Sequence, residues 1–127
     1  MIKLNINYGN MILRSTKNKK IFAEIVFRRE KPASFGDSFI KIARLEQAAQ
    51  GFVLHVITTN LSDKDLKTYD KNMFANLIDV MILIAEKLTL GDNERLTLTD
   101  IQKKGACEID ARYSFLEDGE DLHERLD

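Results

Sequence analysis

From Asn72 to Leu88 the chain carries an apolar helix whose polar residues, Asn72, Asn76, Asp79 and Glu86, fall on one narrow stripe of a helical wheel, with Lys87 set apart from them. Met73, Phe74, Leu77, Ile78, Val80, Met81, Ile82, Leu83, Ile84 and Leu88 spread over the remaining surface. A helix resting on one sheet needs an apolar stripe somewhat over about 100° wide, and this surface is about twice that. The surplus has to be covered, either by strands wrapping the helix within one chain or by a second copy. We expect a homodimer, with Met73, Leu77, Val80, Met81, Ile82, Leu83 and Ile84 at the seam. Ser62 or Asp70 can cap the start and Gly91 ends the run, so the spacing predicts a helix over about 63–89.

The segments around this helix alternate as strands do. Met1–Tyr8 sets Ile2, Leu4 and Ile6 against Lys3, Asn5 and Asn7, Gly9-Asn10 reads as a turn, and Met11–Thr16 follows as a second short strand. Ile21–Arg29 places Ile21, Ala23, Ile25 and Phe27 on one face and Phe22, Glu24, Val26 and Arg28 on the other, which predicts a central strand covered on both sides for part of its length. Pro32 closes that strand, and 33–38 reads as a loop. Residues 38–50 fit either a helix capped by Asp37 or the first arm of a hairpin with Phe52–Thr59; the hairpin is preferred, and Phe52–Thr59 is a strand in both cases. Arg95–Ile101 and Ala106–Leu116 predict a closing hairpin around Gln102-Lys103-Lys104-Gly105. The fold class is therefore α+β: antiparallel sheet of about six or seven strands, rich in hairpins, with one long, mostly buried helix. The order of strands and then one long helix resembles that of small sheet-plus-helix binders such as the PUR and Whirly domains, a likeness of architecture without a shared motif.

A chain of 127 residues, 44% apolar and 31% charged, suits one folded domain over 1–127. Its longest apolar run, Val80–Ala85, is far short of the roughly 20 residues needed to span a bilayer, and no signal-peptide h-region opens the chain. The single cysteine, Cys107, excludes an internal disulfide and suits a reducing compartment, so the expected location is cytoplasmic.

The net charge of −1 conceals a division. Residues 1–45 hold ten Lys/Arg and three Asp/Glu, whereas 46–127 hold nine and seventeen. Within the first group, Arg14, Lys17, Lys19, Lys20, Arg28, Arg29 and Lys31 could track a nucleic-acid backbone, with Phe22 and Phe35 as stacking surfaces. Within the second, Glu117, Asp118, Glu120, Asp121, Glu124 and Asp127 make an acidic tail over 117–127, punctuated by Leu122 and Leu126, that could dock into a basic groove of a protein partner.

Sites for chemistry are sparse. Glu108, Asp110 and Arg112 share one face of the last expected strand, with Asp100 near by, so two carboxylates could bind a divalent cation; a solvated face with Arg112 paired to an acid explains them better. His55 lies mid-strand without an evident partner and reads as structural, and Cys107 reads as a small hydrophobe. Asp63-Lys64-Asp65 lacks the glycine and distal glutamate of a calcium loop and reads as helix N-terminal acid. No catalytic residue, metal site or cofactor is assigned. The expectation is a small non-enzymatic interaction protein, an inhibitor, adaptor or regulator acting through protein contacts, with Lys, Asn and Ile content suited to a phage or mobile-element product. Single-stranded nucleic-acid binding is the alternative, and a metal-dependent nuclease using Glu108 and Asp110 is a distant third.

Overall fold

The computed structural model describes residues 3–30, 38–91 and 94–117, with the backbone alone at 116 and 117. Among the described residues, seven antiparallel strands form one open sheet, and a single long helix crosses one of its faces. The strands are β1 (Asn5–Tyr8), β2 (Met11–Arg14), β3 (Ile21–Arg28), β4 (Phe39–Ala48), β5 (Gly51–Ile57), β6 (Glu94–Gly105) and β7 (Glu108–Glu117). Their order in the sheet is β1-β2-β3-β4-β5-β7-β6, so the chain builds the sheet in sequence up to β5 and then inserts β7 between β5 and β6.

The turn chemistry explains these hairpins. Gly9 has φ 62, the left-handed value that a two-residue loop needs at its first central position, and Gly9-Asn10 joins β1 to β2. Ala49-Gln50 joins β4 to β5, which settles the preference for a hairpin over a helix at 38–50. The closing hairpin turns at Ala106-Cys107, later than the expected Gln102–Gly105, because Gln102, Lys103 and Gly105 still pair with β7. Cys107, read from the sequence as a small hydrophobe, therefore sits exposed in a turn.

The expected 63–89 helix divides in two. α1 (Asp63–Leu66) is capped by Ser62, whose hydroxyl accepts from the Asp65 amide while the Asp65 carboxylate accepts from the Ser62 amide, a reciprocal capping box. α2 (Lys71–Thr89) starts at Asp70, whose carboxylate accepts from the amides of Asn72 and Met73. Both proposed caps are used, one for each helix. The Met73 methyl lies over Gly9 beside β2, while Glu86 accepts from the Leu96 amide in β6, so α2 runs from one side of the sheet toward the other.

Under α2 lies the core. Met11, Leu13, Ala23, Ile25, Phe27, Leu45, Phe52, Leu54 and Ala111 of the sheet meet Phe74, Leu77, Met81 and Ala85 of the helix. Each of the larger side chains, taken fully out of water, contributes about 2 kcal/mol. Ala23, Ile25 and Phe27 alternate inward as their spacing predicts, and Glu24 and Val26 are buried on the other face, which makes β3 the doubly covered strand that the sequence implied. The alternation fails at the start of β3. A bulge between Ile21 and Ala23 turns Phe22 into the core, where its ring packs edge-on against Phe52 at 5.9 Å, and sends Ile21 to the opposite face.

Candidate functional site

The two faces of the sheet differ in kind: one is sealed by α2, the other carries a ladder of charges. Glu24, Arg44 and His55 are successive cross-strand partners on β3, β4 and β5, with Arg14 beside Glu24 on β2 and Asp110 beside His55 on β7. Antiparallel pairing sets such partners close enough to interact directly.

Buried Glu24 accepts from Arg14 Nε at 2.9 Å and lies 3.7 Å from Lys41 Nζ. His55 is held from both sides, with Nε2 2.7 Å from Glu46 Oε2 and Nδ1 2.8 Å from Asp110 Oδ1. Both acceptors are carboxylates, so a neutral ring can donate to one of them at a time and a protonated ring to both. Lys104 Nζ then closes on the other Asp110 oxygen at 3.0 Å. Burial works against the charged form of Asp110, but the hydrogen bonds from Lys104 and His55 outweigh it and hold its carboxyl below the usual range. This chain corrects the reading of His55 as a residue without partners. The missing signal was register: Glu46, His55 and Asp110 become neighbours once the β4–β5 hairpin and the β5–β7 pairing are aligned.

The same contacts bear on the carboxylates of β7. Asp110 is occupied by His55 and Lys104, and the described residues contain no group of three or more His, Cys, Asp or Glu side chains able to hold a metal ion. Glu108, Asp110 and Arg112 do share a face, but the carboxylate paired by a cation is Asp110, with Lys104, and not an acid with Arg112.

The basic set is dispersed. Lys17, Lys19 and Lys20 are exposed in the β2–β3 turn, while Arg28 and Arg29 stand at the far end of β3, about 25 Å away along an eight-residue strand. Arg14 is engaged by Glu24, and its guanidinium also lies 5.4 Å from the Phe39 ring centre. Arg29 grips Asp65 through Nε at 3.0 Å and Nη2 at 2.9 Å, tying β3 to α1. That hydrogen bonding, with help from Ser62 and against the cost of burial, keeps the Asp65 carboxyl below its usual range. The pair floors an open cavity of about 630 Å3 next to α1, lined also by Phe27, Lys64 and Thr68. Phe22 offers no stacking surface, since it is packed against Phe52. Lys31, Phe35 and the tail residues Asp118, Glu120, Asp121 and Glu124 lie outside the described residues, as does the side chain of Glu117.

The expected dimer seam is narrower than the wheel suggested. Leu77 and Met81 are fully buried against the sheet of their own chain, and Met73 and Ile82 pack partly against the same core, so Leu77 and Met81 are core residues and not interface ones. The outward side of α2 keeps Val80 at 37% exposure, Leu83 at 52% and Leu88 at 50%. Leu83 stands seven residues after Asn76, between Asp79 and Glu86, and thus within the polar stripe itself. On the neighbouring edge strand β6, Leu98 and Ile101 are 46% and 56% exposed. No helix among the described residues is long and apolar enough to cross a membrane. Comparison with family models, curated proteins and solved structures gives no match to this chain.

Proposed function

We propose that this chain is a small non-enzymatic interaction protein that works through protein contacts, and that the first of those contacts is with a second copy of itself. The observation that carries the reading is Leu83: a large apolar side chain, half exposed, in the stripe of α2 that faces away from the core. Val80 lies beside it on the helix, and Leu98 and Ile101 add apolar surface on β6. Among the described residues β6 is also an edge of the sheet, with β7 as its one strand partner, so beyond Leu96, whose amide donates to Glu86, its outer row of backbone groups can pair with another strand. Antiparallel self-pairing of β6 brings the Glu94 end of one copy toward the Lys103 end of the other, a complementary arrangement for a twofold interface.

Sedimentation at micromolar concentration should give about twice the chain mass of 14.6 kDa. Leu83→Glu and Leu98→Glu alter exposed positions and should yield folded monomer. A wild-type protein that remains monomeric at high concentration sinks the dimer, and with it the main support for an interaction role.

One observation favours a second reading. Lys17, Lys19 and Lys20 stand together, exposed, in one turn, as a phosphate-backbone contact requires. Binding of labelled single-stranded oligonucleotides that weakens steeply with salt, and is lost in Lys17→Glu/Lys19→Glu/Lys20→Glu, would establish it. The engagement of Arg14 and Arg29 in ion pairs makes this the lesser proposal.

A further inference from the structure

β6 does not alternate regularly, and the irregularity bears on what can pair with its outer edge. Its register with β7 shifts between Leu98 and Asp100, so Thr99 is an extra residue and β6 bulges there. β7 keeps an unbroken register with β5. In an antiparallel pair, a residue whose backbone bonds to one neighbouring strand turns away from the other. The Phe115 amide donates to Gln50 on the β5 side, and by alternation Tyr113, Ala111 and Ile109 also turn toward β5. Their partners on β6 are Leu96, Leu98, Ile101 and Lys103, so these four aim their amides and carbonyls outward. The Leu96 amide agrees, because it donates to Glu86 of α2 and not to β7.

The outward row is therefore spaced by two, three and two residues. A regular strand presents outward groups at every second residue and cannot match that row across the bulge. A second β6 running antiparallel can, because the row reads the same from either end: Leu98 falls opposite Ile101, and Leu96 opposite Lys103. The side chains fit the same register. All four lie on the α2 face, where their partners Ala111, Tyr113 and Phe115 pack on the core. Leu98 and Ile101, 46% and 56% exposed, then cover one another across the edge. Glu86 occupies the outer side of Leu96, so the backbone ladder stops there and an arriving Lys103 ammonium meets that carboxylate, which has Arg95 Nε at 3.9 Å. Lys104 stays out of this contact, held by Asp110 on the opposite face.

We infer that β6 pairs with β6 of a second copy in this one register, with the two bulges meeting on the twofold axis, Leu98 against the partner's Ile101 and Lys103 against the partner's Glu86. The inference rests on the self-association proposed above and adds the feature that selects a copy of the same chain over any other strand. Bulges guard sheet edges against indiscriminate pairing. This one excludes a regular strand and admits its own image.

Cysteine cross-linking in a Cys107→Ser background reads the register. Opposed residues of a bonded pair stand about 5.5 Å apart at Cα, within disulfide reach. Leu98 and the partner's Leu98 are three residues out of step, roughly 10 Å apart and beyond that reach. Leu98→Cys/Ile101→Cys should therefore form covalent dimers with oxidised glutathione, and neither single variant should. Lys103→Glu sets two carboxylates together at both ends of the interface and should raise the dimer Kd about tenfold. Adding Glu86→Gln, which keeps an acceptor for the Leu96 amide, should recover part of that loss. Sedimentation of the wild type separates the two ways of failing. A chain that stays monomeric overturns self-association and this inference with it. A dimer whose single variants cross-link as well as the double one, or whose Kd ignores Lys103→Glu, overturns the register alone.

Discussion

Two carboxylates, Asp65 and Asp110, carry much of the polar organisation, and each is held by a cation distant in sequence or on a neighbouring strand, Arg29 for Asp65 and Lys104 for Asp110. Both lose their protons more readily in the folded chain than in the unfolded one, whose ordinary value is 3.8. The folded state therefore binds fewer protons in acid, and stability falls as pH falls. Their contribution is complete well above 3.8 and drains away as pH drops through the lower folded values. Urea midpoints measured down this range should decline steadily, and Asp65→Asn should flatten the decline by removing one of the two groups. At neutral pH that substitution should cost about 2 kcal/mol, since it discards the charge in a largely buried pair with Arg29. Removal of His55 leaves Glu46 and Asp110 without their shared donor, and His55→Ala should cost about 1–3 kcal/mol.

At the level of elements, the β4–β5 hairpin depends on Gly51, which has φ 154 and whose missing side chain leaves room for the Tyr113 carbonyl oxygen and the Ser114 Cα of β7. Gly51→Ala should cost about 3 kcal/mol or more, through both the backbone conformation and the collision. Gly91→Ala, where a new Cβ would meet only the end of the Glu94 side chain at 3.4 Å, should be near neutral. Thermal melts of the two variants compare them directly. The pattern of these elements was largely legible in the sequence. The inward set Ala23, Ile25 and Phe27, the Gly9-Asn10 turn and the Asp70 cap all follow from local rules. What was not legible depends on pairing. A bulge reverses the faces of Ile21 and Phe22, and no periodicity within β3 announces it, because its cause is the register with β4. The helical wheel correctly identified a surplus of apolar surface but not its orientation: a wheel has no sheet to fix which side faces in, so Leu77 and Met81 were assigned outward beside Leu83.

For the molecule as a whole, stability should be graded across the sheet. β3 is buried on both faces and paired on both sides, whereas β6 is an edge strand with mostly exposed residues. Amide exchange should be slowest in β3 and fastest along the outer row of β6, and protection of that row should rise with protein concentration where β6 pairs with a second copy. Protection independent of concentration would argue against pairing through that edge. The strand order also constrains how the protein is made. β5 is complete at Ile57, yet its neighbour in the sheet begins at Glu108, so one side of β5 stays unpaired while α1, α2 and β6 are being synthesised. β6, too, has nothing to pair with until β7 follows it. Until β7 is made, one edge of β5 and the whole of β6 are therefore unpaired beside a helix rich in apolar groups, and a chain held at that stage is in its most adhesive form. Synonymous codon choice ahead of Glu108 is thus a point at which yield of this protein can be won or lost, independently of how stable the finished fold is.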